Sequence, residues 1–77
     1  MNWDKCTAVE RHPAKMSGAW VFRGTRVPVY ALFENLREGA SVEQFLDWFH
    51  GVEEWQVKAV LDHEAKALRD LCLTTPI

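Results

Sequence analysis

Two arginines, Arg23 and Arg26, lie on either side of Gly24-Thr25 in the segment from Trp20 to Tyr30. A guanidinium group binds phosphate or carboxylate through paired hydrogen bonds, so these side chains are candidates for anion binding. β-Prone residues flank the Gly-Thr pair, and glycine at the first central position suits a type II′ turn. The pattern predicts a hairpin that presents both arginines, with Thr25 between them. The alternative is an ordinary surface turn with solvated arginines.

Gln56 and Lys58 are further candidates for nucleic-acid contact, because an amide can read base edges and an ammonium group can bind phosphate. Both lie near the start of a predicted third helix. Glu53 and Glu54 come just before them and repel phosphate, which weakens this interpretation. The alternative is an ordinary solvated helix face.

Aromatic residues are abundant, with four Trp and four Phe among 77 residues. A single small core encloses only a few such rings, so some are expected at the surface or in an interface. We predict interface positions for Trp20, Phe22 and Trp55. Trp55 lies off the apolar stripe of its predicted helix, so it either marks a contact surface or folds over the neighbouring helix.

No pattern in the sequence is typical of catalysis, since it lacks a Ser-His-Asp arrangement, paired carboxylates and a phosphate-binding glycine loop. The histidines and cysteines are scattered without ligand spacing, so no metal and no cofactor is expected. Cys6 and Cys72 lie near opposite ends, which favours free thiols in a cytoplasmic protein over a disulfide. No apolar run approaches the roughly twenty residues that cross a bilayer, so no membrane role is expected.

Length and charge predict a single domain over residues 1–77 with a thin core. Residues 1–38 hold six Lys/Arg and four Asp/Glu, whereas residues 39–77 hold three and seven. The first half is therefore basic and the second acidic, and the acidic helices alone are not expected to bind DNA.

A lone two-stranded hairpin is marginal in water, so we predict that it pairs with a second copy of the chain in a homodimer.

Three helices are predicted after the hairpin, because apolar residues recur there at i, i+3, i+4 and i+7. The first begins after Pro28 and ends at Gly39. The second begins at a capping box formed by Ser41 and Gln44. The third runs from about Glu53 to about Leu71, with an apolar stripe of Val57, Val60, Leu61, Leu68 and Leu71.

The second and third predicted helices are separated by His50-Gly51-Val52. Two helices joined by a three-residue turn containing glycine are typical of a helix-turn-helix, with the later helix in the recognition position. We therefore predict a mostly α fold, a three-helix domain preceded by a short β-hairpin. Its parts are the N-terminal arm over residues 1–16, the hairpin over 17–29 and the helices over 29–72. The arm is either irregular or a lead-in strand, and it docks on the body or on a partner.

The run from Ser17 to Val29 contains Arg-Gly-Thr-Arg-Val-Pro-Val, a quite specific core. Together with Glu38-Gly39-Ala40-Ser41 and the segment Val57–Leu61, it resembles the domain-of-unknown-function 433 family. The resemblance covers about residues 9 to 70. It implies a homeodomain-like, three-helix DNA-binding fold after a small β element.

The same resemblance implies an antitoxin-like protein of a bacterial toxin–antitoxin pair, of a kind often encoded beside a PIN-like nuclease, with no catalysis of its own. Glu53 departs from the family pattern, in which Ser or Thr caps the third helix. A carboxylate near a helix N-terminus still interacts favourably with the helix dipole.

Two hypotheses follow. In the first, the chain is a homodimeric antitoxin that neutralises a PIN-like nuclease toxin through apolar surface and binds operator DNA. Its DNA- or partner-binding residues are then Arg23, Thr25, Arg26, Gln56 and Lys58. In the second, the chain is a protein–protein dimerisation or adaptor module that does not contact DNA, which the acidic helical half favours. An enzyme is a distant third.

Overall fold

The computed structural model describes residues 3–14 and 18–74, with side chains up to residue 70. The predicted fold class is confirmed, because three helices follow a two-stranded antiparallel hairpin. The side chains of Leu71 and Cys72 lie outside the described part. The sequence predicts that Thr74-Thr75-Pro76 ends the third helix, and Thr75 and Pro76 also lie outside the described residues. The elements are β1 (Val9–Arg11), β2 (Trp20–Phe22), α1 (Val29–Arg37), α2 (Val42–Trp48) and α3 (Glu54–Thr74).

The hairpin lies earlier in the chain than predicted. β1 pairs with β2 in antiparallel register, with Val9 opposite Phe22 and Arg11 opposite Trp20. The expected second strand is reduced to one bridge between Val21 and Pro28, since Pro28 has no N–H and α1 begins at the next residue. The N-terminal arm, called the lead-in segment below, therefore supplies the missing strand as β1, and β2 needs no second copy of the chain for pairing.

The turn around Gly24 also differs from the prediction. The Thr25 N–H donates to the Phe22 carbonyl at 3.0 Å, which closes a turn from Phe22 to Thr25. Gly24 has a φ of 81° and occupies the third position, where a type II turn requires positive φ. The type II′ turn with glycine at the first central position is therefore wrong.

The predicted end of α1 is confirmed. Gly39 has a φ of 96°, and its N–H donates to the Leu36 carbonyl at 3.0 Å. The Ala40 N–H donates to the Asn35 carbonyl at 3.0 Å. These two bonds form a Schellman motif, which satisfies carbonyls that the helix end leaves without partners.

The predicted capping box of α2 is confirmed as well. The Gln44 N–H donates to Ser41 Oγ at 3.1 Å, and the Ser41 N–H donates to Gln44 Oε1 at 2.9 Å. α2 ends at Trp48, and residues 49–53 connect it to α3. Gly51, in that connection, has a φ of 100°.

The core lies between the small sheet and the three helices, and among the side chains described on α3 the buried ones lie in its first half. Val57 and Val60 are fully buried, as the apolar stripe predicts. Leu68 is 56% exposed, so the stripe does not extend that far. The largest fully buried side chains are Phe22, Phe45, Leu32, Val9, Val57 and Val60.

Candidate binding surfaces

Arg23 joins the turn to the lead-in segment instead of pointing freely into solvent. Its Nε and Nη2 atoms each donate at 2.9 Å, to the carbonyls of Thr7 and Val9 respectively. Its backbone N–H donates to the Ala8 carbonyl at 2.9 Å. Alternate carbonyls of a strand point to opposite sides, so the guanidinium binds the edge of β1 that faces away from β2. Arg23 is therefore used within the fold, and the predicted pair of free cations is reduced to Arg26.

Glu10 completes this connection from the strand side. Its Oε2 accepts the Gly24 N–H at 2.6 Å, and its Oε1 lies 3.3 Å from His12 Nε2 and 3.7 Å from Arg23 Nη1. The Gly24 hydrogen bond lowers the pKa of Glu10 below its ordinary value of 4.5. Desolvation is the next-largest effect and raises the pKa, and the charges of His12 and Arg23 lower it by smaller amounts.

Gln56 is 3% exposed, so the prediction that it contacts DNA is wrong. Its Oε1 accepts the Glu53 N–H at 2.9 Å, and its Nε2 donates to the Arg23 carbonyl at 3.0 Å. Nε2 also lies 3.5 Å from the Ala8 carbonyl. The amide thus forms the glutamine half of a capping box at the start of α3, and it fastens α3 to the turn.

Thr25 serves the turn too, because its hydroxyl donates to the Phe22 carbonyl at 2.8 Å and accepts the Val27 N–H at 3.0 Å. Arg26 is exposed and makes no hydrogen bond or ion pair with any residue that the structure describes. Lys58 is exposed and pairs with Glu54 at 2.9 Å. Of the five predicted binding residues, Arg23, Arg26 and Lys58 are exposed, and of these three Arg26 alone makes no hydrogen bond or ion pair with the described residues.

The predicted interface aromatics divide three ways. Phe22 is fully buried and packs against Phe45, with ring centroids 6.0 Å apart, so its interface assignment is wrong. Trp20 is half-buried. Trp55 is 50% exposed, as predicted for a monomer, and its indole N–H donates to Glu53 Oε2.

A groove that the sequence reasoning missed lies between the sheet, α1 and α3. It has a volume of about 370 Å³ and is lined by Trp3, Ala19, Trp20, Val29, Tyr30, Phe33 and Glu64. We call it the aromatic groove. The excess of Trp was a signal for such a surface, but Trp3 lies in a segment without periodicity, so nothing in the sequence located it here.

The described residues include no group of three or more His, Cys, Asp or Glu side chains that could hold a metal ion. Cys6 is a buried free thiol. Among the described helices, none combines the length and the apolar character that crossing a membrane requires.

Comparison with known proteins gives the family. Residues 9–63 match the family model of a protein of unknown function, DUF433. The match covers more than half of the chain, so the chain belongs to the DUF433 family. No curated protein and no solved structure matches it.

Proposed function

We propose that the chain is an antitoxin-like, non-enzymatic protein that binds and neutralises a PIN-like nuclease through its exposed aromatic surface. The observation that carries this proposal is the exposure of Tyr30, Trp48 and Trp55, at 58%, 56% and 50%. Large aromatic side chains dominate the energetics of protein interfaces, so exposed ones are candidates for contact with a partner. The resemblance of the Arg-Gly-Thr-Arg-Val-Pro-Val core to antitoxin-like proteins supports the same class.

Protein contact is favoured over DNA contact by the way the α3 region is built. Gln56 is buried, and Arg23, although its side chain is 55% exposed, already donates to two carbonyls of the chain, so phosphate would have to compete with those bonds. The exposed start of α3 carries Glu53 and Glu54, which repel phosphate. Operator binding by a helix-turn-helix would then depend on Arg26 and Lys58.

The second candidate is a dimerisation or adaptor module without a nuclease partner, which the acidic charge of residues 39–77 favours.

One experiment separates the two candidate functions. The chain is co-expressed with the nuclease-like product of the adjacent gene, and complex formation is measured together with mobility shift of the upstream promoter DNA. A tight complex supports the antitoxin class. No complex, with self-association alone, supports the adaptor, and a shift by the chain alone supports a DNA-binding role.

A further inference from the structure

The aromatic groove combines four rings with one carboxylate. The rings come from three parts of the chain: Trp3 from the lead-in segment, Trp20 from β2, and Tyr30 and Phe33 from α1. The carboxylate is Glu64, on α3. None of the described residues that line the groove is basic. Faces of aromatic rings attract cations through their quadrupoles, and a neighbouring carboxylate adds a negative charge.

Within the described fold, Glu64 has one ion pair, to His63, which carries a charge only when it is protonated. Its Oε1 atom is buried and accepts no hydrogen bond from any described residue. His63 Nδ1 lies 3.7 Å from that oxygen, beyond hydrogen-bonding distance. The His63 ring stacks on Trp3, with centroids 4.2 Å apart and planes 17° from parallel, so this contact also fixes one wall of the groove. A carboxylate held beside apolar rings gains from a cation that brings its own N–H donors.

We propose that the aromatic groove binds an arginine side chain of a partner protein. A guanidinium is planar, stacks on aromatic faces and is more weakly hydrated than a compact ammonium, which suits a groove of four rings and one carboxylate. Nucleases bind a polyanion, so their substrate-binding surfaces are rich in basic side chains. This inference rests on the proposed function and adds the chemistry of the contact.

The test uses Nα-acetyl-arginine amide as the probe and Nα-acetyl-citrulline amide as its uncharged isostere. NMR titrations follow the indole N–H resonances of all four tryptophans. We expect saturable shifts at Trp3 and Trp20, smaller shifts at Trp48 and Trp55, and about tenfold weaker binding of the citrulline probe. Equal binding of the two probes, or shifts confined to Trp48 and Trp55, would overturn the proposal.

Glu64→Gln removes the charge and nearly preserves the shape, and should weaken arginine binding about tenfold. Glu54→Gln is the matched control on the exposed side of the same helix and should leave binding unchanged. Tyr30→Ala is a second test at an exposed position, where loss of a ring should also weaken binding without unfolding the chain. Unchanged affinity in both Glu64→Gln and Tyr30→Ala would contradict the proposal.

The result is separable from the proposed function, because the titration contains no nuclease. Arginine binding without a nuclease complex would sink the antitoxin class and keep the groove assignment. A nuclease complex without arginine binding would support the antitoxin class and would contradict the groove assignment. Concentration-dependent shifts of Trp3 and Trp20 without the probe would identify a second copy of the chain as the occupant and would contradict a separate partner.

Discussion

Gln56 shows how one side chain can change the interpretation of a surface. As an exposed residue it would be a DNA-reading candidate, but its amide instead caps α3 and bonds the Arg23 carbonyl. We expect Gln56→Ala to lower the free energy of unfolding by roughly 1–3 kcal/mol, because buried polar groups lose their partners. Chemical denaturation measures this. Lys58→Ala, which breaks a surface pair only, should stay within about 0.5 kcal/mol of the parent. Equal effects in the two variants would contradict the assignment.

Arg23 and Arg26 have the same chemistry but different surroundings. Arg23→Ala should lower the free energy of unfolding by about 1–2 kcal/mol, because two carbonyl hydrogen bonds are lost. Arg26→Ala should leave stability nearly unchanged. Thermal melts of the two single variants decide the point. Arg26→Ala is therefore the clean variant for a DNA-binding assay, and a similar melting temperature for both variants would mean that the Arg23 contacts add nothing.

Glu10 gives a pH-dependent prediction. Its pKa in the folded chain lies below the ordinary value of 4.5, so its carboxylate stabilises the fold above that pH. The stabilisation is lost as the pH falls through the lowered pKa. We therefore expect Glu10→Gln to melt below the parent at pH 7 and to converge with it in acid. A gap that persists unchanged below the folded pKa would show that the charge of Glu10 is not the cause.

At the scale of elements, α1 and α2 could be predicted because their signals are local. Gly39 and the Ser41–Gln44 box lie next to the helix ends that they define, and the apolar spacing gives the buried face. The pairing of β1 with β2 could not be predicted in the same way. β1 has three residues, too few to show a period, and its partner is fixed by Arg23 and Glu10, which act across 14 residues of chain.

The two leucines Leu32 and Leu68 test where the core ends. Leu32 is fully buried on α1, whereas Leu68 is exposed although it belongs to the predicted stripe of α3. Leu32→Ala should cost roughly 2–5 kcal/mol, because truncation leaves a cavity, and Leu68→Ala should cost less than about 1 kcal/mol. Denaturant titration measures the free energy of unfolding of both variants, one at a buried leucine and one at an exposed leucine. A large loss from Leu68→Ala would mean that the second half of α3 is covered by another surface.

At the scale of the whole molecule, composition predicted that aromatic surface would exist but not where. The residues that line the aromatic groove are far apart in the sequence, and folding brings Trp3, Tyr30 and Glu64 together. The acidic second half was visible in the sequence, and Glu64 belongs to it. The sequence did not predict that the carboxylate of Glu64 would lie beside the rings of the aromatic groove.

The homodimer stays a prediction, and its basis has changed. β2 finds its strand partner within the chain, so the remaining argument is the exposed aromatic surface that includes Trp48 and Trp55. Light scattering at high micromolar concentration should give about twice the chain mass of 8.9 kDa. A mass of one chain at every concentration would contradict it.

We propose that this chain acts by protein contact on a nuclease. The most direct measurement titrates the purified adjacent-gene nuclease with the chain and follows cleavage of an RNA substrate. We predict that cleavage falls to background as the chain becomes equimolar with the nuclease, and that Arg26→Ala inhibits as well as the parent does. Full cleavage at a large molar excess of folded chain would contradict the account.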